Sequence, residues 1–99
     1  MNLTKTEITD PGVIQFTIDG ELYRCRWVES SYTYRHVEIC RLDTKKVLFW
    51  DKTYWNHIWT DGSKSYDRWD IARFSMEATA KYFLSCLTGF LSNKELHPQ

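Results

Sequence analysis

The sequence predicts an α+β fold, an antiparallel β-meander of four to five strands packed by one long C-terminal α-helix. Apolar residues alternate from Val13 to Trp50, with breaks at Asp19-Gly20 and at Asp43-Thr44-Lys45-Lys46. From Asp67 to about Ser92 the apolar spacing changes to three- and four-residue steps. A period of two marks a strand with one buried face, and a period near 3.6 marks a helix lying on it.

Asp19-Gly20 is the strongest local signal, because a two-residue type I′ turn needs positive φ at both central positions and Asp-Gly tolerates it. The register then follows: Ile18 opposite Glu21, Phe16 opposite Tyr23 and Ile14 opposite Cys25. The next turn, around Glu29 to Tyr32, needs an odd number of loop residues to keep Tyr23 and Cys25 on the face of Val37 and Ile39. A three-residue loop satisfies this and pairs Cys25 with Val37, Tyr23 with Ile39 and, on the reverse face, Arg24 with Glu38. A four-residue connection at Asp43 to Lys46 would set Leu42 opposite Val47 and Ile39 opposite Trp50.

The inner face so derived holds Ile14, Phe16, Ile18, Tyr23, Cys25, Trp27, Val37, Ile39, Leu48 and Trp50, with Leu3 and Ile8 added from an N-terminal strand. Asp67 is placed to cap the helix and Asp70 to meet its dipole in the first turn. Trp69, Ala72, Met76, Ala80, Phe83, Leu87 and Phe90 or Leu91 form the stripe that covers the sheet. Gly89 either ends this helix near Thr88 or sits inside it at a cost of about 1 kcal/mol. Thr53 to Thr60 reads as a fifth strand or as a helical turn plugging the core, and Asp61 to Ser65 as a flexible loop.

A chain of 99 residues fits one domain spanning 1–99, with a polar tail at 93–99 expected to fray. Thirteen basic residues balance thirteen acidic ones, so no global field attracts a polyanion or a membrane surface. No apolar run approaches the roughly 20 residues that span a bilayer, and the first ten residues do not resemble a signal peptide, so the expected location is cytoplasmic. Cys25, Cys40 and Cys86 are odd in number and lack CxxC spacing, which favours reduced thiols over a disulfide framework or a zinc site.

Catalytic motifs are missing: there is no nucleotide loop, metalloprotease helix or nucleophile elbow, and four glycines are few for a phosphate cradle. His36 and Cys40 lie roughly 13 Å apart along one strand, too far for proton transfer. Asp61, Asp67, Asp70 and Glu77 are explained by capping and a solvated helix face. A pocket near His57 and Asp61 is the remaining enzymatic reading. The expectation is therefore a non-enzyme with no cofactor and no metal.

The reverse face of the sheet carries the other signal. Leu22, Cys40, Leu42, Val47 and Phe49 become neighbours in the derived register, with Val28 and Tyr34 further along, unless the N-terminal or the Tyr54 to Trp59 segment folds over them. A contiguous exposed apolar patch marks a contact surface. Ile71, Phe74, Ala78 and Tyr82 on a second helix flank either complete the core or face a partner. The expected function is a small protein-binding module, with Phe49, Tyr34, Arg26, Tyr32 and Trp55 as anchors and a homodimer as one way to cover the patch. In general character it is similar to the small inhibitors that mobile elements and toxin-immunity loci use against larger protein machines. The order of strands and helix is also similar in outline to single-strand-binding coactivator domains, without their basic strand motif. The alternative is a sheet face that binds single-stranded nucleic acid through Arg24, Arg26 and Tyr34, rings stacking on bases and arginines holding phosphates.

Overall fold

A computed structural model of the chain describes residues 1–10, 12–61 and 65–96, with side chains described through Asn93. Strands β1 (Leu3–Asp10), β2 (Val13–Ile18), β3 (Glu21–Glu29), β4 (Tyr34–Val47) and β5 (Trp50–Thr60) form an antiparallel meander in that order. The two-residue β6 (Tyr66–Asp67) pairs with the start of β4, and helices α1 (Arg68–Ala72) and α2 (Met76–Leu96) follow. The expected Gly62 to Lys64 part of the loop and residues 97–99 of the tail lie outside the described residues.

The first hairpin follows turn chemistry. Asp19 and Gly20 have φ of 51° and 80°, and the three predicted pairs, Ile14–Cys25, Phe16–Tyr23 and Ile18–Glu21, are all present. Alternation places Ile14, Phe16, Ile18, Tyr23, Cys25, Val37 and Ile39 in the core, where Phe83 and Leu87 of α2 close over them. Trp27 packs at the edge of this cluster, stacked on Tyr82 at 5.6 Å and 10°.

Other expectations are corrected. The β3–β4 register is two residues from the predicted one, with Cys25 opposite Ile39 and Trp27 opposite Val37. The loop is wider than three residues, held by Ser30 and Ser31 N–H donating to the Tyr34 carbonyl and by the Arg35 guanidinium donating to carbonyls of Ser31, Tyr32 and Tyr34. A slip of two preserves the faces, so the core is unchanged. It does move the charge pair: Arg26, not Arg24, bonds Glu38 at 2.8 Å.

Asp43 to Lys46 is not a turn. β4 runs through it and turns at Leu48-Phe49, because β5 is eleven residues long and needs a partner of matching length. Leu48 and Trp50 are therefore outside the core, 78% and 56% exposed. β1 does pair with β2, yet Leu3 and Ile8 are exposed, since α2 lies over β2 and β3 and leaves the edge strand uncovered. The Tyr54 to Trp59 segment is a strand in the plane of the sheet, so neither it nor β1 roofs the reverse face.

β5 contains one irregularity that decides side-chain placement. Ile39 pairs with Trp59 but Cys40 pairs with His57, so Ile58 is an extra residue. Beyond it the faces exchange: Trp59 meets Phe90 of α2, whereas Trp55 and His57 lie on the reverse face with Arg24 and Glu38.

The single predicted helix is two. Asp67 caps α1 by accepting from Trp69 N–H, as expected. Arg73 and Phe74 N–H then fold back on Asp70 and Ile71 carbonyls, and Ser75 starts α2 by accepting from Ala78 N–H at 3.0 Å. A serine side chain that satisfies free helical N–H groups favours a new start over continuation. Trp69, Ala72 and Met76 of the predicted stripe are consequently exposed, and the covering residues begin at Thr79 and Ala80. Gly89 is accommodated inside α2, and Tyr82 joins the core edge.

Candidate functional site

The β4–β5 hairpin extends past the rest of the sheet. β3 pairs with β4 as far as Tyr23 and Arg41; from there to Val47, β4 is paired with β5 alone. The inner face changes character at the same point. Arg41 donates to both oxygens of Asp43 at 2.7 and 3.0 Å, and the Asn56 amide donates to Asp43 at 2.8 Å, so a polar network replaces the apolar core.

Beyond this network lies an arm with the pairs Thr44–Thr53, Lys45–Lys52, Lys46–Asp51 and Val47–Trp50. At its apex Leu48, Phe49 and Trp50 are consecutive and exposed, Phe49 at 96%. Leu48 has φ of +55°, a left-handed conformation that a bulky side chain disfavours and that glycine or asparagine occupies at little cost. Both the exposure and the backbone strain act against stability. The lysines have a structural use, since charges along an unpaired hairpin edge suppress strand-to-strand aggregation. The apex has no corresponding use within the fold.

The reverse face differs from its expected form. Cys40 is buried there, while Leu22, Leu42, Val28 and Trp55 are half-buried. Arg24 lies 4.6 Å over the Trp55 ring and points an amino group at Cys40 Sγ, 3.8 Å away, so it covers part of the predicted apolar patch. Glu38 accepts from Arg26 and from the Cys40 thiol at 3.3 Å, with His57 3.8 Å away. Burial alone would raise the Glu38 carboxyl, but these hydrogen bonds, the positive charge of Arg26 and the nearby His57 outweigh it and hold it below its ordinary value. Burial, then the hydrogen bond to Glu38, raises the Cys40 thiol, the opposite of what an activated nucleophile needs. Burial likewise raises Cys25, and no disulfide links the three cysteines among the described residues.

The five sequence-nominated anchors do not form one patch. Phe49 is at the hairpin apex, not beside Leu22 and Cys40 on the sheet face. Arg26 and Trp55 lie mid-face, each engaged by a neighbour. Tyr34 is exposed opposite Asp67, and Tyr32 is exposed in the β3–β4 loop under Arg68, whose guanidinium is 4.1 Å from its ring and donates to its hydroxyl. Tyr32 and Phe49 flank opposite ends of β4, which at strand rise spans roughly 40 Å. Of the nucleic-acid set, Arg24 and Arg26 are both engaged and Tyr34 lies further along β4.

His57 and Asp61 are also apart. His57 is on the reverse face, whereas Asp61 borders a hollow on the helix side with Trp59 and Tyr82. Among the described residues no three of His, Cys, Asp and Glu gather as a metal site, and no helix is long and apolar enough to cross a membrane.

Sequence reasoning missed Leu48 and Trp50, which it assigned to the core. The available signal was length: the aromatic run up to Thr60, taken as a strand, requires a long partner, and only a β4 continuing through Asp43 to Val47 supplies one. The chain matches no protein-family model, no curated protein and no solved structure.

Proposed function

We propose that this chain is a non-enzymatic protein-binding module that inserts the apex of its β4–β5 arm into an apolar pocket on a larger protein. The observation that carries the reading is the exposure of three consecutive large apolar residues, Leu48, Phe49 and Trp50, at the tip of a projecting hairpin. Burying such side chains is worth about 1.5–3 kcal/mol each, and aromatic anchors seated in pockets dominate interface energies. A narrow convex tip is matched by a concavity. Two copies meeting apex to apex would bury far less than the about 1,200 Å² of a stable interface, so a different chain is the better partner. Filling a pocket on a working protein machine blocks it without chemistry, which is an inhibitor's action. The nucleic-acid alternative is less well supported, because Arg24 stacks on Trp55 and Arg26 is paired with Glu38.

Affinity capture with the native chain and with Phe49→Asp tests the proposal. A partner retained by the native chain and by Tyr32→Ala, and lost with Phe49→Asp at unchanged fold, is the expected result. Equal retention by Phe49→Asp removes the apex from function. Binding to vesicles of anionic phospholipid that Phe49→Asp abolishes would reassign the apex to a lipid surface and overturn the protein reading.

A further inference from the structure

The sheet has an open edge at β1, where no described strand pairs with the side turned away from β2. Turn geometry identifies which backbone groups are left there. Residues flanking a two-residue turn exchange both of their backbone hydrogen bonds, so Ile18 bonds Glu21, and the alternate residues before it, Phe16 and Ile14, also face β3. Thr17 and Gln15 therefore face β1, and Lys5–Thr17 and Glu7–Gln15 are the hydrogen-bonded pairs of that ladder. The N–H and C=O groups of Thr6 and Ile8 are turned outward, away from the sheet. The side chains along this edge are exposed as well: Lys5 and Glu7 lie 3.8 Å apart on the reverse face, and Ile8, on the helix side, is 51% exposed.

We propose that β1 pairs antiparallel with β1 of a second copy of this chain, about a two-fold axis at Thr6. Outward groups have to meet outward groups, so the axis passes through a residue and not between two. Centred on Lys5, the pairing sets Lys5 against itself; centred on Glu7, it sets Glu7 against itself. Centred on Thr6, it sets Lys5 of each copy opposite Glu7 of the other, in the closely spaced position where side chains meet. Thr6 then exchanges both backbone bonds with its counterpart, and Ile8 lies opposite Thr4 of the other copy. Charged side chains on an edge discourage pairing; the order Lys5, Thr6, Glu7 discourages the slipped registers and favours one. β1 holds an extra residue at Thr4 and at Thr9, and the bends these make confine the pairing to the stretch from Thr4 to Ile8. The overlap is short, so the dimer is weak and reversible. Each copy has one β1 edge, so assembly closes at two. The β4–β5 arms stay at the far sides of the joined sheet, and the pairing stands or falls independently of their apices.

Sedimentation velocity on the native chain, run up to about 1 mM, should show a monomer–dimer equilibrium. Lys5→Glu sets acidic side chains against each other at both symmetry-related pairs, and Glu7→Lys does the same with basic ones. Each variant alone weakens the dimer by at least about tenfold. Mixing the two variants restores it, because the mixed pair again opposes unlike charges. Thr6→Pro, which removes a donor turned away from β2, abolishes the dimer at unchanged circular dichroism. A native chain that stays monomeric throughout this range overturns the proposal. A dimer that survives Lys5→Glu or Thr6→Pro, or single variants that remain monomeric when mixed, overturns it as well.

Discussion

β4 belongs to two regions that obey different rules. Val37 and Ile39, in its first half, are completely enclosed between β3, β5 and α2; Val47, on the same face eight residues beyond Ile39, is only half-buried, and the turn after it is solvent-exposed. Strand alternation is present throughout. What differs is the second layer: α2 lies over β2 and β3, and the Arg41–Asp43–Asn56 network marks where its cover ends. Alternation therefore assigns a side chain to a face, but burial also requires something to close that face.

The comparison breaks most visibly at the aromatic residues of each region. Phe83→Ala, in the closed half, should cost about 3–5 kcal/mol in urea unfolding, enough to threaten folding of a domain this small. A loss below about 1 kcal/mol would mean α2 does not close the core.

On the reverse face of the closed half, Glu38→Gln should cost about 1–3 kcal/mol, because Arg26 would lose an ionised partner. It should also change the acid limb of stability. The Glu38 carboxyl is held below its ordinary 4.5, so its contribution is present above that pH and is lost as pH falls through the lower folded value. Glu38→Gln should flatten that decline, and parallel acid limbs in the two proteins would show that the pairing does not stabilise the fold.

On the arm the sign reverses. Leu48→Gly relieves a bulky residue at φ +55° and should strengthen the arm by about 1 kcal/mol, read as slower amide exchange from Lys45 to Lys52. Faster exchange would show that the leucine supports the turn. Smallest of all, Phe49→Ala should change global stability by within about 0.5 kcal/mol. A loss of several kcal/mol would place Phe49 in the structural core and remove the contrast.

The same division explains what was legible beforehand. The Asp19-Gly20 hairpin and the inner faces of β2, β3 and the first half of β4 could be read because turn chemistry, alternation and burial agree there. The arm could not, because its signals conflict: Asp43-Thr44-Lys45-Lys46 has the composition of a turn and forms strand, whereas Leu48-Phe49 has the composition of strand and forms the turn. Pairing with β5 overrides local preference, and that pairing is not visible in a local pattern. Phe49 was reachable from the sequence as an apolar residue in excess of the core, but only as part of a sheet face. The break between α1 and α2 was not reachable at all, since it depends on the Ser75 cap that begins α2.

The extra residue in β5 has a consequence for how the chain tolerates length change. Ile58 has no counterpart on β4, so its deletion would leave Trp59 opposite Ile39 and His57 opposite Cys40, with every side chain from Trp50 to His57 on its present face. Trp55 would keep its place under Arg24, and Asn56 its bond to Asp43. A one-residue deletion at the bulge is therefore absorbed by the ladder, much as a two-residue change at the apex would be absorbed by the length of the arm.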